Sequence, residues 1–218
     1  MAPRGRPRAF DRDAALRKAM EVFWAKGYER ASLADLTEAM GINAPSLYAA
    51  FTSKEALFQE ALALYSATEG CDIWEGVPAA PTARAACAHL LRATAEAFAR
   101  DEKRRGCLVV LSAPQTEGSS PSICDALKHH RAATTAVLRE RLRRAVAEGD
   151  LPATADVEAI TAYVVTVQHG LSIQARDGAS RETLLAIAGC AMAGWENLVS
   201  AGGIAAVSGA VSGNPSGI

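Results

Sequence analysis

The chain contains 218 residues, with 23 Lys plus Arg against 24 Asp plus Glu, and its formal net charge of −1 does not by itself point to a nucleic-acid partner. Half of the residues are hydrophobic and 22% are charged, which is typical of a globular protein and excludes a disordered or fibrous chain. Alanine is abundant and aromatic residues make up only 6%, which disfavours an all-β fold and favours helices.

The first predicted helices are defined by clear start and stop signals. Residues 1–10 form a basic arm, and apolar residues then recur at helical spacing up to Gly27, which predicts the end of the first helix. Ser32 and Asp35 form a capping-box pattern that predicts the start of a second short helix, ended by Gly41.

A third and a fourth helix follow at once. Asn43 is a plausible N-cap and Pro45 lies in the first turn, where its missing N–H costs nothing, so the pattern predicts a helix of two turns. The run Thr52-Ser53-Lys54-Glu55 then forms another capping box and begins the fourth helix.

The rest of the chain also follows a helical period, with a break rich in Gly and Pro predicted from Gly70 to Pro81. A loop is predicted between Pro114 and Pro121, and the tail from Ala201, which is rich in Gly, Ser and Ala, is expected to be flexible. The predicted helices cover about 82–100, a short one from 107, about 122–148, 156–176 and 181–200.

The cysteines and the hydrophobic runs bear on the compartment. The five cysteines are scattered, form no C-x-x-C pair and follow no metal-finger spacing, as in a protein from a reducing compartment. The first residues contain no apolar signal-peptide core, and no run is long enough to span a membrane. We therefore expect a cytoplasmic protein without membrane contact, metal or cofactor.

Two short helices separated by Gly41-Ile42-Asn43 form a helix-turn-helix pattern, in which the second helix is presented to the DNA major groove. Such pairs are common, but the complete run from Ala19 to Leu57 is specific. It reads A-x-x-V-F-W-x-x-G-Y-x-x-x-S-L-x-D-L-x-x-A-M-G-I-N-x-P-S-L-Y-x-x-F-x-S-K-E-x-L. This run resembles the TetR family of bacterial transcription factors, and the close match covers about residues 10–65.

The resemblance implies an all-α fold with two domains. An N-terminal three-helix DNA-binding domain with a helix-turn-helix would cover residues 11–65, its last helix bridging to the body. A helical ligand-binding and dimerisation domain would follow at 66–200, between the arm at 1–10 and the tail at 201–218. It implies a homodimeric repressor that leaves a double-stranded, palindromic operator when a small-molecule effector binds.

The resemblance also assigns residues to DNA. Positions of the third helix face bases or phosphates in relatives, and Lys54 matches the family's phosphate-contacting lysine. The alternative is that Tyr48 packs against the protein and Lys54 is only solvated. None of the exposed positions carries the Arg that usually grips guanine, so apolar contact with thymine methyl groups is expected. The residues expected at the DNA are Ser32, Asn43, Ala44, Pro45, Ser46, Tyr48, Ala50 and Lys54.

The basic arm is a candidate for the minor groove. Arg4, Arg6 and Arg8 alternate with Gly5 and Pro7, a composition attracted to narrow A·T-rich grooves. The alternative is a disordered arm that only adds electrostatic attraction. Residues 1–60 contain nine basic and eight acidic side chains, so this region is only mildly basic and the arm carries three of its cations.

The last two helices are expected to form the dimer. Apolar residues of the final segment fall on one face beside Gly189, Ala193 and Gly194, which allow a neighbouring helix to approach, although an ordinary core helix would show the same spacing. The resemblance implies a four-helix bundle with the two-fold mate. Candidates for a ligand pocket, each also explicable as a core or surface residue, are Trp74, Phe98, Cys107, His130, Tyr163, Gln168 and His169.

Two rival functions remain open. The sequence contains no nucleophile elbow, phosphate-binding loop or paired-His motif, so an enzyme is not expected. A redox sensor could use Cys107 or Cys124, because Lys103, Arg104 and Arg105 precede Cys107 and could lower its pKa, although a small buried cysteine is the commoner situation.

Overall fold

The computed structural model describes residues 11–112 and 120–200, and every regular element within these ranges is an α-helix. The expectation of an all-α fold is therefore confirmed. The helices are α1 (Arg12–Arg30), α2 (Leu33–Met40), α3 (Ala44–Phe51), α4 (Lys54–Thr68), α5 (Cys71–Ala79), α6 (Ala83–Arg100), α7 (Leu108–Leu111), α8 (Pro121–Ala147), α9 (Val157–Arg176), α10 (Arg181–Ala193) and α11 (Trp195–Val199).

Three helices differ from the prediction. Gly27 adopts a φ of 73° and kinks α1, but the helix resumes and ends at Arg30. Gly194 divides the predicted last helix into α10 and α11. The predicted break from Gly70 to Pro81 is wrong, because α5 occupies most of it.

Helix α5 forms despite its poor helix formers because its apolar side is buried. Ile73 and Val77 are four residues apart and belong to the same core as α6. Two arginines of α8 bind the carbonyl oxygens at the end of α5 and in the next turn: Arg144 donates to Pro78 over 2.6 Å and Arg141 donates to Ala80 over 3.1 Å. These interactions satisfy carbonyls that a helix end leaves without a partner.

The described residues divide into two compact units. One falls within Met1–Gly70 and Leu108–Lys128, the other within Cys71–Cys107 and His129–Ile218. Helix α7 joins the first unit because it packs against α1 and α4. The domain limits expected from the sequence stay a prediction, and the tail and most of the predicted loop at 114–121 lie outside the described residues.

The first unit is built around an aromatic cluster. Phe23 and Phe58 are fully buried and meet edge to face with ring centroids 4.9 Å apart. Tyr28 packs on Phe58 at 5.1 Å, and Trp24 meets Tyr65 at 4.9 Å. This cluster joins α1 to α4 and thereby forms the support on which α2 and α3 lie.

The second unit has a mostly aliphatic core. Helix α6 packs against α5, α9 and α10, and contributes fully buried residues such as Leu90 and Leu91. The carboxylate of Asp150 accepts a 2.6 Å hydrogen bond from the N–H of Ala83, at the start of α6. None of the helices described is long and apolar enough to cross a membrane.

Candidate DNA-binding surface

Helices α2 and α3 are separated by a tight turn at residues 41–43. Gly41 ends α2 in the left-handed conformation, with a φ of 69°, where a side chain would be strained. Asn43 then caps α3, its side-chain oxygen accepting a 2.9 Å hydrogen bond from the N–H of Ser46. Pro45 lies in the first turn of α3, as predicted. The predicted helix-turn-helix is therefore present.

Helix α3 is amphipathic over its two turns. Leu47 is fully buried and Phe51 is 1% exposed, and together they anchor one side of the helix in the first unit. The opposite side is exposed, and Tyr48 retains 45% of its accessible surface. The Tyr48 side chain is therefore accessible on the outer side of a short anchored helix, and its contact with DNA stays a prediction.

The other residues of α3 that are expected to contact DNA differ in their exposure to solvent. Ala44 and Pro45 are exposed, while Ser46 and Ala50 are half-buried and present less surface. The carbonyl oxygen of Asn43's side chain is used by the helix cap. The outer surface of α3 is therefore mostly apolar, in keeping with contacts to thymine methyl groups.

Arg12 connects α1, α3 and α4, which the sequence analysis did not identify. Its guanidinium forms a 2.8 Å ion pair with Glu60, donates to the carbonyl of Ala50 at 3.3 Å and lies 4.3 Å from the centre of the Phe51 ring. These contacts fix the end of α3. No local pattern could reveal them, because Arg12 and Glu60 are 48 residues apart.

Ser32 begins α2 rather than presenting a free hydroxyl. Its oxygen accepts a 3.1 Å hydrogen bond from the N–H of Asp35, and its own N–H donates to the Asp35 carboxylate at 2.9 Å. Lys26 adds an ion pair to Asp35 at 2.6 Å. The hydrogen bond from Lys26 and those from Ser32 lower the pKa of Asp35 to about 2. A contact between Ser32 and DNA remains a prediction.

Replacing Asp35 with Asn should destabilise the protein at neutral pH, and this difference should disappear in acid. Because the folded pKa is depressed, the carboxylate stabilises the fold above its unfolded pKa of about 4. The benefit is lost progressively as the pH falls through the folded value of about 2. The measurement is urea unfolding of wild type and variant from pH 6 to pH 2, and a pH-independent difference would contradict it.

Lys54 is the first residue of α4, where unpaired N–H groups favour anions. Its ammonium lies 4.4 Å from the centre of the Tyr28 ring, and partial burial lowers the pKa of Lys54, with Glu29 acting in the opposite direction. The capping of α4 by Ser53, whose oxygen accepts from Ala56 at 3.0 Å, fixes this helix start. The arm residues Arg4, Arg6 and Arg8 lie outside the described residues.

The pocket candidates on α9 do not share one environment. Gln168 is buried and His169 is half-buried, whereas Tyr163 is 41% exposed. Burial and, to a smaller extent, Arg131 lower the pKa of His169. Ser172, which the sequence analysis missed, lies one turn from Gln168 and accepts a 2.8 Å hydrogen bond from the N–H of Cys107.

The other pocket candidates are spread over α5, α6 and α8. Phe98 belongs to the core, Trp74 is half-buried against that core, and His130 is half-buried on α8. Burial and His129 lower the pKa of His130. Polar residues thus occur at inward positions of both α8 and α9, and their role in ligand binding stays a prediction.

Two of the cations expected to activate Cys107 have other partners. Arg104 donates to the carbonyl of Gly178 at 3.2 Å, and Arg105 forms a 3.0 Å ion pair with Asp101. The electrostatic argument for a redox sensor is weakened accordingly. No group of three or more metal-ligating side chains occurs within residues 11–112 and 120–200.

Comparison with known families gives two matches along the sequence. Residues 15–61 match the family described as "Bacterial regulatory proteins, tetR family", and residues 82–188 match "Tetracyclin repressor-like, C-terminal domain". The first match contains the helix-turn-helix and Lys54, and the second spans the helices from α6 to α10.

Individual relatives agree with these matches. The HTH-type transcriptional repressor ComR of Escherichia coli K12 is 38% identical over 90% of this chain and 94% of its own length. The repressor BdcR of the same organism is 33% identical over 87% of this chain and 90% of its own. A cysteine mutant of the regulator CifR, solved with 26-base-pair double-strand operator DNA, is 52% identical, with a TM-score of 0.82, and the match covers 87% of this chain and all of that one.

Proposed function

The chain belongs to the TetR family of bacterial regulatory proteins, and we propose that it is a homodimeric repressor released from its operator by a small-molecule effector. It is a DNA-binding transcriptional regulator, and the relatives compared are regulators rather than enzymes. The observation that carries the proposal is α3, which is anchored by Leu47 and Phe51 and exposes Tyr48 on its outer side.

In the first unit, some residues are proposed to bind phosphates and so position the protein on DNA, while others are proposed to contact the bases. Lys54 and the N–H groups at the start of α4 are proposed to bind one phosphate, and the exposed Tyr48 hydroxyl is proposed to donate to another. Ala44 and Pro45 offer apolar surface to base edges. Sequence preference then depends on methyl contacts and on DNA shape more than on hydrogen bonds.

Selection of bound fragments from random DNA tests this function. The wild-type protein should recover a palindrome whose half-sites are separated by about one helical turn or a multiple of it, because each subunit presents one recognition helix. Selection at a stated salt concentration is needed, since phosphate contacts make affinity salt-dependent. Recovery of fragments without a common sequence would contradict the proposal.

An uncharged face on α9 and α10 supports the homodimer. Ile173 is 49% exposed and Tyr163 is 41% exposed, an unusual exposure for large apolar groups. They lie about three turns apart on one side of α9, with Thr166 and Gly170 between them. Helix α10 also exposes small or apolar residues to solvent, namely Ala186, Gly189, Cys190 and Ala193. This combination suits a close bundle with the two-fold mate.

Replacing Ile173 with Glu should dissociate the dimer. The change places two like charges in an apolar interface, once in each subunit, and both must lose water. Sedimentation equilibrium should give the dimer mass for wild type and at least a tenfold weaker dimer for the variant. Ala133→Glu, an equal charge change on an exposed position of α8, serves as the control. An unchanged dimer in the Ile173 variant would exclude this face.

The second unit is proposed to bind the effector. Gln168, His169 and Ser172 of α9 and His130 of α8 supply hydrogen-bonding groups in a largely aliphatic unit, as ligand sites do. We assign the protein to the cytoplasm because bacterial DNA is located there.

A screen of a compound library by thermal shift, on the wild-type protein and on Gln168→Leu, tests the effector site. A compound that releases DNA and stabilises both proteins equally would exclude Gln168 from this site.

A further inference from the structure

Tyr28 lies directly beside the ammonium group of Lys54. The distance from the Lys54 nitrogen to the ring centroid is 4.4 Å, well within the range of about 6 Å over which an aromatic face attracts a cation. Tyr28 follows the kink at Gly27, so its position departs from the regular path of α1. The helical period of the sequence therefore gives no indication of this contact.

The Tyr28 ring is held in place by two phenylalanines. It stacks against Phe23 with an interplanar angle of 20° and a centroid distance of 6.3 Å. It also packs on Phe58, which is fully buried, at 5.1 Å. The ring is therefore fixed by contacts with the aromatic core and also contacts the Lys54 ammonium.

Two carboxylates near Lys54 do not replace the contact with the ring. Glu29 interacts with Lys54 electrostatically, and the described residues show no salt bridge between the two. The Glu55 carboxylate accepts a hydrogen bond from the hydroxyl of Ser122. Lysine has a long flexible stem, and its ammonium would otherwise sample many positions.

We propose that Tyr28 is a positioning residue for DNA binding, whose ring holds the Lys54 ammonium at the start of α4 ready for a phosphate. The inference rests on the proposed contact between Lys54 and DNA. The lysine side chain is then already ordered in the free protein, so that it loses less conformational entropy when DNA binds. This increases the affinity for DNA without any direct contact between Tyr28 and DNA. The hydroxyl of Tyr28 has no part in this role.

A double-mutant cycle on the intact dimer tests the proposal. The probe is a duplex selected by the wild-type protein, with a scrambled duplex beside it, at fixed salt. Tyr28→Phe should bind within twofold of wild type, since it keeps the ring. Tyr28→Leu should bind about fivefold more weakly, but should change affinity by less than twofold when Lys54→Met is also present.

A matched control separates positioning from loss of core packing. Tyr65→Leu makes the same chemical change in the same unit, about three turns along α4 from Lys54, and its effect should be equal with and without Lys54→Met. Equal effects of Tyr28→Leu in both backgrounds would overturn the proposal. Full binding by Lys54→Met would overturn the premise instead, and failure of wild type to select any sequence would overturn the proposed function.

A second measurement needs no variant that is at risk of misfolding. In the free protein the ring current of Tyr28 should shift the Lys54 Hε resonances upfield by a few tenths of a ppm. The shift should persist in Tyr28→Phe. Hε resonances at the values of an unstructured lysine in wild type would overturn the proposal.

Discussion

Replacing Lys54 with methionine is expected to weaken operator binding about 100-fold. A hydrogen bond to a charged group is worth about 1.5 kcal/mol, and a dimer loses two of them, which gives about 3 kcal/mol. Methionine retains the apolar stem, so that the contact with the Tyr28 ring is lost with little change in packing. The measurement is the dissociation constant of the selected duplex by fluorescence anisotropy.

The salt dependence gives the same experiment a second readout. Each neutralised phosphate contributes about 0.9 to the slope of log affinity against log salt concentration, so the dimeric variant should lose about 1.8. Lys103→Met, which removes the same charge from the second unit, should leave the slope unchanged. An unaltered slope in the Lys54 variant would show that this lysine is solvated and does not contact DNA.

Replacing Phe58 with alanine should destabilise the first unit more than Tyr28→Leu or Tyr65→Leu. Phe58 is fully buried and contacts both Phe23 and Tyr28, so the change removes apolar surface, leaves a cavity and disrupts two aromatic pairs. Truncations of this kind cost about 3–5 kcal/mol. Urea unfolding followed by circular dichroism should show an earlier transition, with loss of DNA binding at lower urea.

A conservative change provides the control for Phe58. Phe58→Leu retains much of the volume and should cost about 1.5 kcal/mol or less. If Phe58→Ala also remained within about 1 kcal/mol of wild type, the aromatic cluster would not be the support of the DNA-binding helices. The position of α3 would then have to depend on Arg12 and its contacts with Glu60 and Ala50.

Features that depend on neighbouring residues were predictable from the sequence. The caps of α2 and α3 by Ser32 and Asn43 are formed by side chains that bind backbone groups three residues away. Helix α4 differs from the capping box predicted over residues 52–55, because its cap is Ser53, whose oxygen accepts from the N–H of Ala56. Gly41 ends α2 because its left-handed conformation suits a residue without a side chain. Local chemistry of this kind is readable because it needs no knowledge of the tertiary fold.

Features that depend on tertiary contacts were not predictable. Helix α5 was missed because Gly76 and Pro78 outweigh its two buried residues in a nine-residue window, whereas the folded protein adds contacts from Arg141 and Arg144. The contact between Tyr28 and Lys54 was missed because it joins residues on α1 and α4 after a kink. Such contacts become visible only when the elements are assembled.

The ratio of affinities for the selected duplex and a scrambled duplex, at 150 mM salt, tests the central claim that the first unit reads DNA sequence. Specific DNA-binding proteins show ratios of about 10³ or more, and the same is predicted here although α3 presents few hydrogen-bonding groups. Tyr48→Ala should reduce binding to the selected duplex, because this exposed side chain of α3 is proposed to contact DNA. A ratio near one for the wild-type protein would contradict the account.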